Sequence, residues 1–301
     1  MDTLSAPPTT QLYTVWRIPK RRGGFRTIES PCEELKKKQK AMLRELKGAL
    51  KVSPFAYAFT HYKNIAIHAQ NHIGKKWVAS IDLSDFFASI TWEKFARNVL
   101  LVPGNIKAGG SFDVNIKGRD DNKDRLKEIC FYDFADGKKL RLPQGAPTSP
   151  FLSNAYLFKL DWLMAWKAHA SDCDYTRYAD DLVISGEDKK QIIGLLKMAE
   201  RILGSDYGLK VNHKKTKIVH RTRRQLVCGV VVNERLNTPR RDRKRLRAEL
   251  HQIKLKGGEL PNETKGRIAF HNMVRENTKT TYSSREIINQ IRLLKKLEAG
   301  S

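Results

Sequence analysis

Cysteine is scarce and scattered. Cys32, Cys130, Cys173 and Cys228 lie far apart and form no CxxC pair. A zinc site needs close-set ligands and a secreted disulfide framework is denser in a smaller chain, so the four are expected to be reduced thiols. No apolar run approaches the ~20 residues that a membrane-spanning helix requires. The start, MDTLSAPPTTQLYTVW, lacks a basic segment followed by an apolar one, so no signal peptide is expected, and the protein is expected in the cytoplasm without membrane contact. Internal repeats and low-complexity tracts are missing as well. Acidic residues are the minority charge: 32 Asp and Glu stand against 57 Lys and Arg, a formal net charge of +25. Such a field favours a polyanionic partner, of which nucleic acid is the commonest.

The chain does have enough apolar residues, 40% of 301, to bury a real core, and its 30% charged content fits a folded domain. The positive charge is concentrated. Between Tyr207 and Lys256 sixteen Lys and Arg face only Glu234, Asp242 and Glu249, which reads as a binding face.

Periodicity places the elements. YTVWRIP, the turn KRRGG and FRTI read as a β-hairpin with a basic tip. Ser30-Pro31-Cys32-Glu33 has the form of a helix start with a capping box, followed by Leu35, Met42, Leu43, Leu46 and Leu50 at helical spacing. WVASIDL, from Trp77 to Leu83, reads as a buried strand, with SDFFASITWEKFARNVL continuing as helix. Residues 103–125 read as a polar connector, 157–166 as an apolar helix and 189–203 as an amphipathic one. YTRYADDLVIS reads as two short strands bent around Ala179-Asp180-Asp181, and Leu226–Val232 as one β-branched strand. Thr238 and Pro239 open a basic helix with Leu246, Leu250 and Ile253 on one face, and a second capping box, Ser283 to Glu286, opens a last helix with Ile287, Ile291, Leu294 and Leu297 on its apolar face. Alternating strands and helices followed by helices alone predict an α+β body with a small helical C-terminal lobe.

The chemistry rests on acids. Asp180-Asp181 at a tight bend concentrates hard oxygen ligands of the kind magnesium takes. A solvated acidic turn is the competing reading, and Asp120-Asp121 is an example within this chain. Asp82 shifts the balance, because an acid ending the apolar strand WVASI is costly unless it is paired with a cation. Acids at the ends of neighbouring strands can converge on two metal ions, an arrangement suited to phosphoryl transfer.

IDLSDFF, LPQGAPTSP, RYADDLVIS, GLKVNHKKTKI and LVCGVVVN resemble, in order and spacing, the palm motifs of reverse transcriptases. The pairing of LPQGAPTSP with YADD is highly specific, and the likeness runs from about Arg26 to Asn233. It implies a right-hand polymerase fold: fingers at 1–76, palm at 77–97, a fingers or connector insertion at 98–147, palm at 148–232, and a helical, RNA-binding thumb at 233–301. It implies RNA-directed DNA synthesis with two Mg2+ ions, Mn2+ serving as a substitute, on Asp82, Asp180 and Asp181. Phe87 falls where the family places a steric gate against the ribose 2′-hydroxyl; a core ring beside Phe86 is the alternative. Gln144 and Gly145 resemble the loop that meets nucleotide and template, and Arg26, assisted by Lys20, resembles the fingers arginine on the triphosphate. Lys215 sits where the family has a lysine near the leaving pyrophosphate, a candidate general acid, with Lys214 and Lys217 as competitors. Val227, Cys228 and Gly229 lie in the segment that resembles the primer grip.

The likeness is greatest to bacterial retron reverse transcriptases. With 301 residues the chain has no room for an RNase H, maturase or endonuclease extension behind the thumb. The family's Asn-Ala-x-x-His element reads His68-Ala69-Gln70-Asn71-His72, keeping Ala69 and His72, and its Val-Thr-Gly reads Val227-Cys228-Gly229. A structural role for His72 stays open. Retron membership would imply copying of a structured noncoding RNA into branched RNA–DNA (msDNA) for anti-phage defence. The partners would be that RNA as template and primer, the RNA–DNA hybrid, dNTPs and an accessory effector protein. Alternatives are a group-II-intron-like or other bacterial defence reverse transcriptase, and a non-catalytic RNA-binding protein on the same fold. Arg240, Arg241, Arg243, Lys244, Arg245 and Arg247 crowd the start of the basic helix, where cations oppose the helix dipole, and are expected to hold RNA phosphates; a solvated face is the competing reading.

Overall fold

Runs of β-branched and aromatic residues broken by glycine and short polar turns make this chain alternate between strands and helices. A computed structural model describes residues 12–20, 23–102, 105–106, 121–133, 139–256 and 259–277. In chain order the elements are β1 (Tyr13–Pro19), β2 (Phe25–Pro31), α1 (Glu33–Ala49), α2 (Ile65–Gln70), β3 (Trp77–Ser84), α3 (Phe86–Ser89) and α4 (Trp92–Phe95) with a π-helical turn, Ala96–Leu100. There follow α5 (Asp121–Cys130), α6 (Ser149–Tyr156), α7 (Phe158–Ala170), β4 (Asp174–Tyr178), β5 (Asp181–Gly186) and α8 (Lys189–Ser205). The last are β6 (Lys210–Val211), β7 (Lys217–His220), β8 (Leu226–Val227), β9 (Val230–Val231), α9 (Arg240–Lys256) and α10 (Asn262–Glu276). The chain divides into two compact units, Met1–Ser53 with Ser84–Lys159 and Ile202–Lys210, and Pro54–Leu83 with Leu160–Arg201 and Val211–Ser301.

In the first unit β1 and β2 form the expected antiparallel hairpin, in register from Tyr13 opposite Pro31 to Pro19 opposite Phe25. Its tip residues Arg21 and Arg22 lie outside the described residues. The expected cap at Ser30-Pro31 is not there. Both residues stay in β2, paired with Thr14 and Tyr13, and α1 begins at Glu33 without a side-chain cap. Gln39, fully buried on α1, donates to the Tyr13 hydroxyl and the Ile129 carbonyl, both at 2.9 Å, and so ties β1, α1 and α5 together.

The helix expected through residues 84–100 is interrupted. Ile90 is extended, Trp92 N–H donates to the Leu140 carbonyl and Leu142 N–H donates to the Ile90 carbonyl. The β-branched pair Ile90-Thr91 thus takes a short bridge to residues 140–142, while Thr91 caps the next turn through its hydroxyl. The supposed connector ends in a helix, α5, whose Leu126 and Cys130 are buried; residues 107–120, with Asp120, lie outside the described residues.

The second unit is built on an antiparallel sheet ordered β4-β5-β3-β6, with β7 also paired to β3. Residues 226–232 are not one strand but a tight hairpin, β8–β9, turning at Cys228 (φ 46°) and Gly229 (φ 86°). Its valines pack with Ala66, Ala69, Val78, Val183, Leu236 and Val274, which seats α10 and the hairpin on α2 and the sheet. The expected last helix, from Ser283 to Leu297, lies outside the described residues. Among the described residues no helix is long and apolar enough to cross a membrane, and all four cysteines are free thiols.

Candidate active site

Two neighbouring strands bring the acids together. β4 and β5 are buried along nearly their whole length, so their register is firmly specified. They join through Ala179, in the left-handed region at φ 56°, and Asp180. Asp181 opens β5 directly opposite Tyr178 on one side and Asp82 of β3 on the other. Like charges directly opposite one another destabilise a sheet, so this pairing needs a cation. Lys215 supplies part of it: its Nζ donates to the Asp82 carboxylate oxygens at 2.9 and 3.1 Å. The turn carrying Lys215 is held to β3, since Asn212 N–H donates to the Asp82 carbonyl at 2.8 Å. Lys214 and Lys217 make no such contact among the described residues.

One amine does not neutralise three acids. Burial, followed by the charges of Asp180 and Asp82, pushes the Asp181 carboxyl up to about 6. Among the described residues no three acids, histidines or cysteines stand as a finished metal cage. Magnesium does not require one, because it binds one or two carboxylates and completes its shell with water and substrate phosphates. Three crowded carboxylates with one lysine fit such an ion.

Several residues that sequence reasoning missed hold this hairpin. Arg177 and Asp161 are fully buried and form a two-pronged ion pair, Nη2 to Oδ2 at 2.7 Å and Nε to Oδ1 at 2.8 Å. Tyr175 donates to the same Oδ1, and Arg177 Nη1 reaches the Ala179 carbonyl at 3.0 Å, bracing the turn before Asp180. Asp161, a lone acid in the apolar helix FKLDWLMAWKAHA, was the available signal. His72 is buried between the strands, with Nε2 2.6 Å from the Thr176 hydroxyl and Nδ1 2.7 Å from that of Ser185. Burial, helped by the Lys75 charge, lowers its pKa to about 3, so it is a neutral crosslink. Ala69 is buried in the core under β8–β9.

Cys228, at the β8–β9 turn, lies with Sγ 3.7 Å from Asp181 Oδ2 and 3.6 Å from His68 Nδ1. Burial and the Asp181 charge push its thiol up, so it stays an S–H donor to the carboxylate. His68 and Cys228 are the two positions at which this chain departs from the retron-like pattern, and they touch.

The first unit holds Arg26, Lys20, Gln144, Gly145 and Phe87. Arg26 and Lys20 are exposed on the β1–β2 hairpin, whose turn closes through Lys20 N–H to the Gly24 carbonyl at 2.9 Å. Gln144 is clamped to β2: its N–H donates to Glu29 Oε2 at 2.7 Å and its carbonyl accepts from Glu29 N–H at 2.9 Å. Arg141 completes the clamp on the buried Glu29 at 2.7 and 3.2 Å. Gly145, at φ 148°, presses against the same backbone, and a Cβ there would stand 2.5 Å from the Glu29 carbonyl oxygen. Glu29 and Arg141 carried no signal in the sequence, because their partnership is formed by strand placement alone. Phe87 is half-buried and its ring centre lies 5.3 Å from that of Phe86.

On α9, Arg240, Arg241, Lys244, Arg245 and Arg247 are exposed, and Leu246, Leu250 and Ile253 are half-buried. Arg243 is spent locally, bonded to Asn237 Oδ1 at 2.7 Å and to the Thr238 carbonyl, and Arg245 pairs with Glu249 at 2.9 Å.

The model of the reverse transcriptase (RNA-dependent DNA polymerase) family matches residues 18–246. Among curated proteins, the chain is 37% identical over 241 residues to the Retron Mx65 reverse transcriptase of Myxococcus xanthus, covering 80% of this chain and 56% of that protein. It is 34% identical over 287 residues to the Retron Mx162 reverse transcriptase of the same organism, covering 88% and 58%. With the Retron Ec86 reverse transcriptase of Escherichia coli it shares 35% over 245 residues, covering 81% and 69%. The chain thus spans a little over half the length of the two Myxococcus relatives.

Among solved structures, the telomerase of Candida albicans in complex with a TWJ fragment of telomeric RNA superposes with a TM-score of 0.52 at 14% identity, over 78% of this chain and 48% of that one. The apo telomerase of Candida tropicalis gives 0.51 at 12%, over 78% and 49%. These neighbours share the α+β right-hand polymerase fold and, at such identities, speak to the fold alone. The paired strands, the acids at their ends and the family match over residues 18–246 agree: the chain belongs to the reverse transcriptase family.

Proposed function

We propose that this protein is an RNA-directed DNA polymerase of the retron kind, copying a structured noncoding RNA into branched RNA–DNA for anti-phage defence in the cytoplasm. The observation that carries the catalytic part is the register that sets Asp82 opposite Asp181, with Asp180 in the adjoining turn. The retron part rests on the named relatives.

Asp82, Asp180 and Asp181 would hold two Mg2+ ions, with Mn2+ as substitute, which supply charge stabilisation for phosphoryl transfer when bound. Lys215, whose ammonium bonds Asp82, would give a proton to the leaving pyrophosphate. Arg26 and Lys20 grip triphosphate oxygens, Phe87 excludes the ribose 2′-hydroxyl, and Gln144 with Gly145 orients the nucleotide. Val227, Cys228 and Gly229 support the primer end. Arg240, Arg241, Lys244 and Arg247 take RNA phosphates, while Arg243 and Arg245 play a smaller part because the fold already engages them. An accessory effector protein belongs to the same proposal.

The test is extension of a DNA primer on an RNA template. Asp180→Asn and Asp181→Asn are each expected to lower extension by about a hundred-fold or more, the scale of removing one preorganised charge from an active site. Extension by both variants within a few-fold of wild type would contradict the assignment.

A further inference from the structure

At the opposite end of β3 from Asp82 stands a second basic surface. Trp77 opens the strand, five residues before Asp82, or about 17 Å at the usual rise. It pairs in register with His220 of β7, and the two rings lie 4.5 Å apart between centres. The Lys189 ammonium sits 5.0 Å above the Trp77 ring. Directly after His220 comes Arg221-Thr222-Arg223-Arg224, with all four residues exposed, and directly before Trp77 comes the exposed Lys76.

The loop that displays these arginines is held by two side-chain amides and by backbone hydrogen bonds. Asn233 Nδ2 donates to the carbonyls of Arg221 (2.9 Å) and Arg223 (2.8 Å). Gln225 N–H donates back to Asn233 Oδ1 at 2.9 Å. Gln225 itself is fully buried and its Nε2 reaches the carbonyls of Lys75, Lys76 and Val219 at 3.1 to 3.3 Å. Arg221 N–H donates to the Lys76 carbonyl at 2.8 Å, and Arg223 N–H to that of His220 at 2.9 Å.

The side-chain amides of the half-buried Asn233 and the buried Gln225 therefore hold the backbone while the guanidinium groups stay outside. None of the ion pairs among the described residues uses Arg221, Arg223 or Arg224. None of the nearby acids forms an ion pair with these arginines among the described residues. Glu187 accepts from the Lys76 backbone N–H, Asp188 from that of Lys190, and Asp174 is paired with Lys75. Three exposed guanidinium groups on a held turn, next to Trp77 and His220, concentrate charge that suits phosphates, and a planar fork suits phosphate better than a lysine would.

We propose that Arg221, Arg223 and Arg224, with Lys76 and the Trp77–His220 face, bind the sugar–phosphate backbone of RNA away from the catalytic carboxylates. It is an anchoring surface separate from α9. This rests on RNA being the partner, as in the proposed function, but not on polymerase activity.

The experiment uses the full chain carrying Arg221→Gln, Arg223→Gln and Arg224→Gln together. Binding of a fluorescein-labelled RNA hairpin with single-stranded flanks is followed over a salt series, alongside extension of oligo(dT) on poly(rA). The surface predicts a roughly ten-fold rise in Kd and a loss of about two in the log–log salt slope, with saturated extension and thermal melting near wild type. The matched Arg→Lys triple variant should keep the slope. An unchanged Kd and slope in the Gln variant overturns the proposal, leaving the patch to a protein partner or to solvent, as does failure of the wild type to bind the hairpin. Loss of hairpin binding in a protein whose wild type extends no primer would support the surface while sinking the polymerase reading.

Discussion

The chain contains two prominent antiparallel hairpins with the same hydrogen-bonding pattern and opposite surroundings. β4–β5 is buried along nearly its whole length; Asp180 and Asp181 stand at its turn, and the acid at its far end, Asp174, is buried and paired with Lys75. β1–β2 is exposed from Thr14 to Lys20 and from Gly23 to Arg26, with Val15, Trp16, Ile18 and Phe25 all open to solvent, and among its described residues those buried are Tyr13, Glu29 and Pro31, near its base. A free two-stranded ribbon is marginal by itself. The first hairpin is thus built to hold charges in place and the second to present cations on an outer ribbon. Under the proposed function, groups that must stay in one geometry through a reaction are fixed by the interior, and groups that would close on a ligand are left at the surface.

The sharpest way to break this contrast is to remove the buried ion pair behind β4–β5. Arg177→Ala leaves Asp161 as an uncompensated charge in the core, a change that typically costs about 3–5 kcal/mol. Urea unfolding should show a loss of that order. The same truncation at Arg141, whose pair supports the β1–β2 base and is partly solvated, should cost clearly less. Equal losses would mean that the two hairpins are not anchored differently.

Acid should also single out the buried hairpin. His72 has its pKa lowered from 6.5 to about 3 in the fold, so the unfolded chain binds the proton more readily. Its contribution is complete above pH 6.5 and is lost as pH falls towards 3, at up to about 1.4 kcal/mol per pH unit. His68, also lowered by burial, acts in the same direction. Stability measured between pH 7 and 4 should therefore fall less steeply in His72→Asn than in wild type. Parallel curves would refute a buried neutral His72.

A smaller effect probes how the carboxylate is seated. His68 and Cys228 are in contact, and Cys228 touches Asp181. Residues that share one contact network couple by about 0.5–3 kcal/mol. His68→Asn and Cys228→Thr should each reduce primer extension, and the double variant should recover part of the loss. Additive losses would show that the two positions act independently.

The acids and the strands that carry them were readable because a short apolar run, an acid ending it and adjacent aspartates at a bend all survive in one dimension. Asp82, Asp180 and Asp181 stand where strand pairing was expected to bring them. The interruption at Ile90 was not readable, since phenylalanines and alanine on either side keep a helical pattern and only the bridge to residues 140–142 breaks it. The hairpin at Cys228-Gly229 hid behind a run of valines whose two halves pair with each other. The Ser30-Pro31 cap failed for a similar reason, because pairing with β1 outweighed a local capping preference. At Ser30-Pro31 and at Ile90 a distant strand or bridge competed for the same backbone and overrode the local signal.

Single-turnover incorporation of one dNTP on an RNA-templated primer tests the division of labour most directly. Asp181→Asn should lower the maximal incorporation rate by about a hundred-fold or more and leave the dNTP Kd within a few-fold of wild type. Arg26→Gln, which removes a charge-assisted contact worth about 1.5–3 kcal/mol, should raise the dNTP Kd by roughly ten-fold or more and leave the maximal rate nearly unchanged. A collapse of rate in the hairpin variant with intact nucleotide affinity, or full activity in Asp181→Asn, would contradict the account.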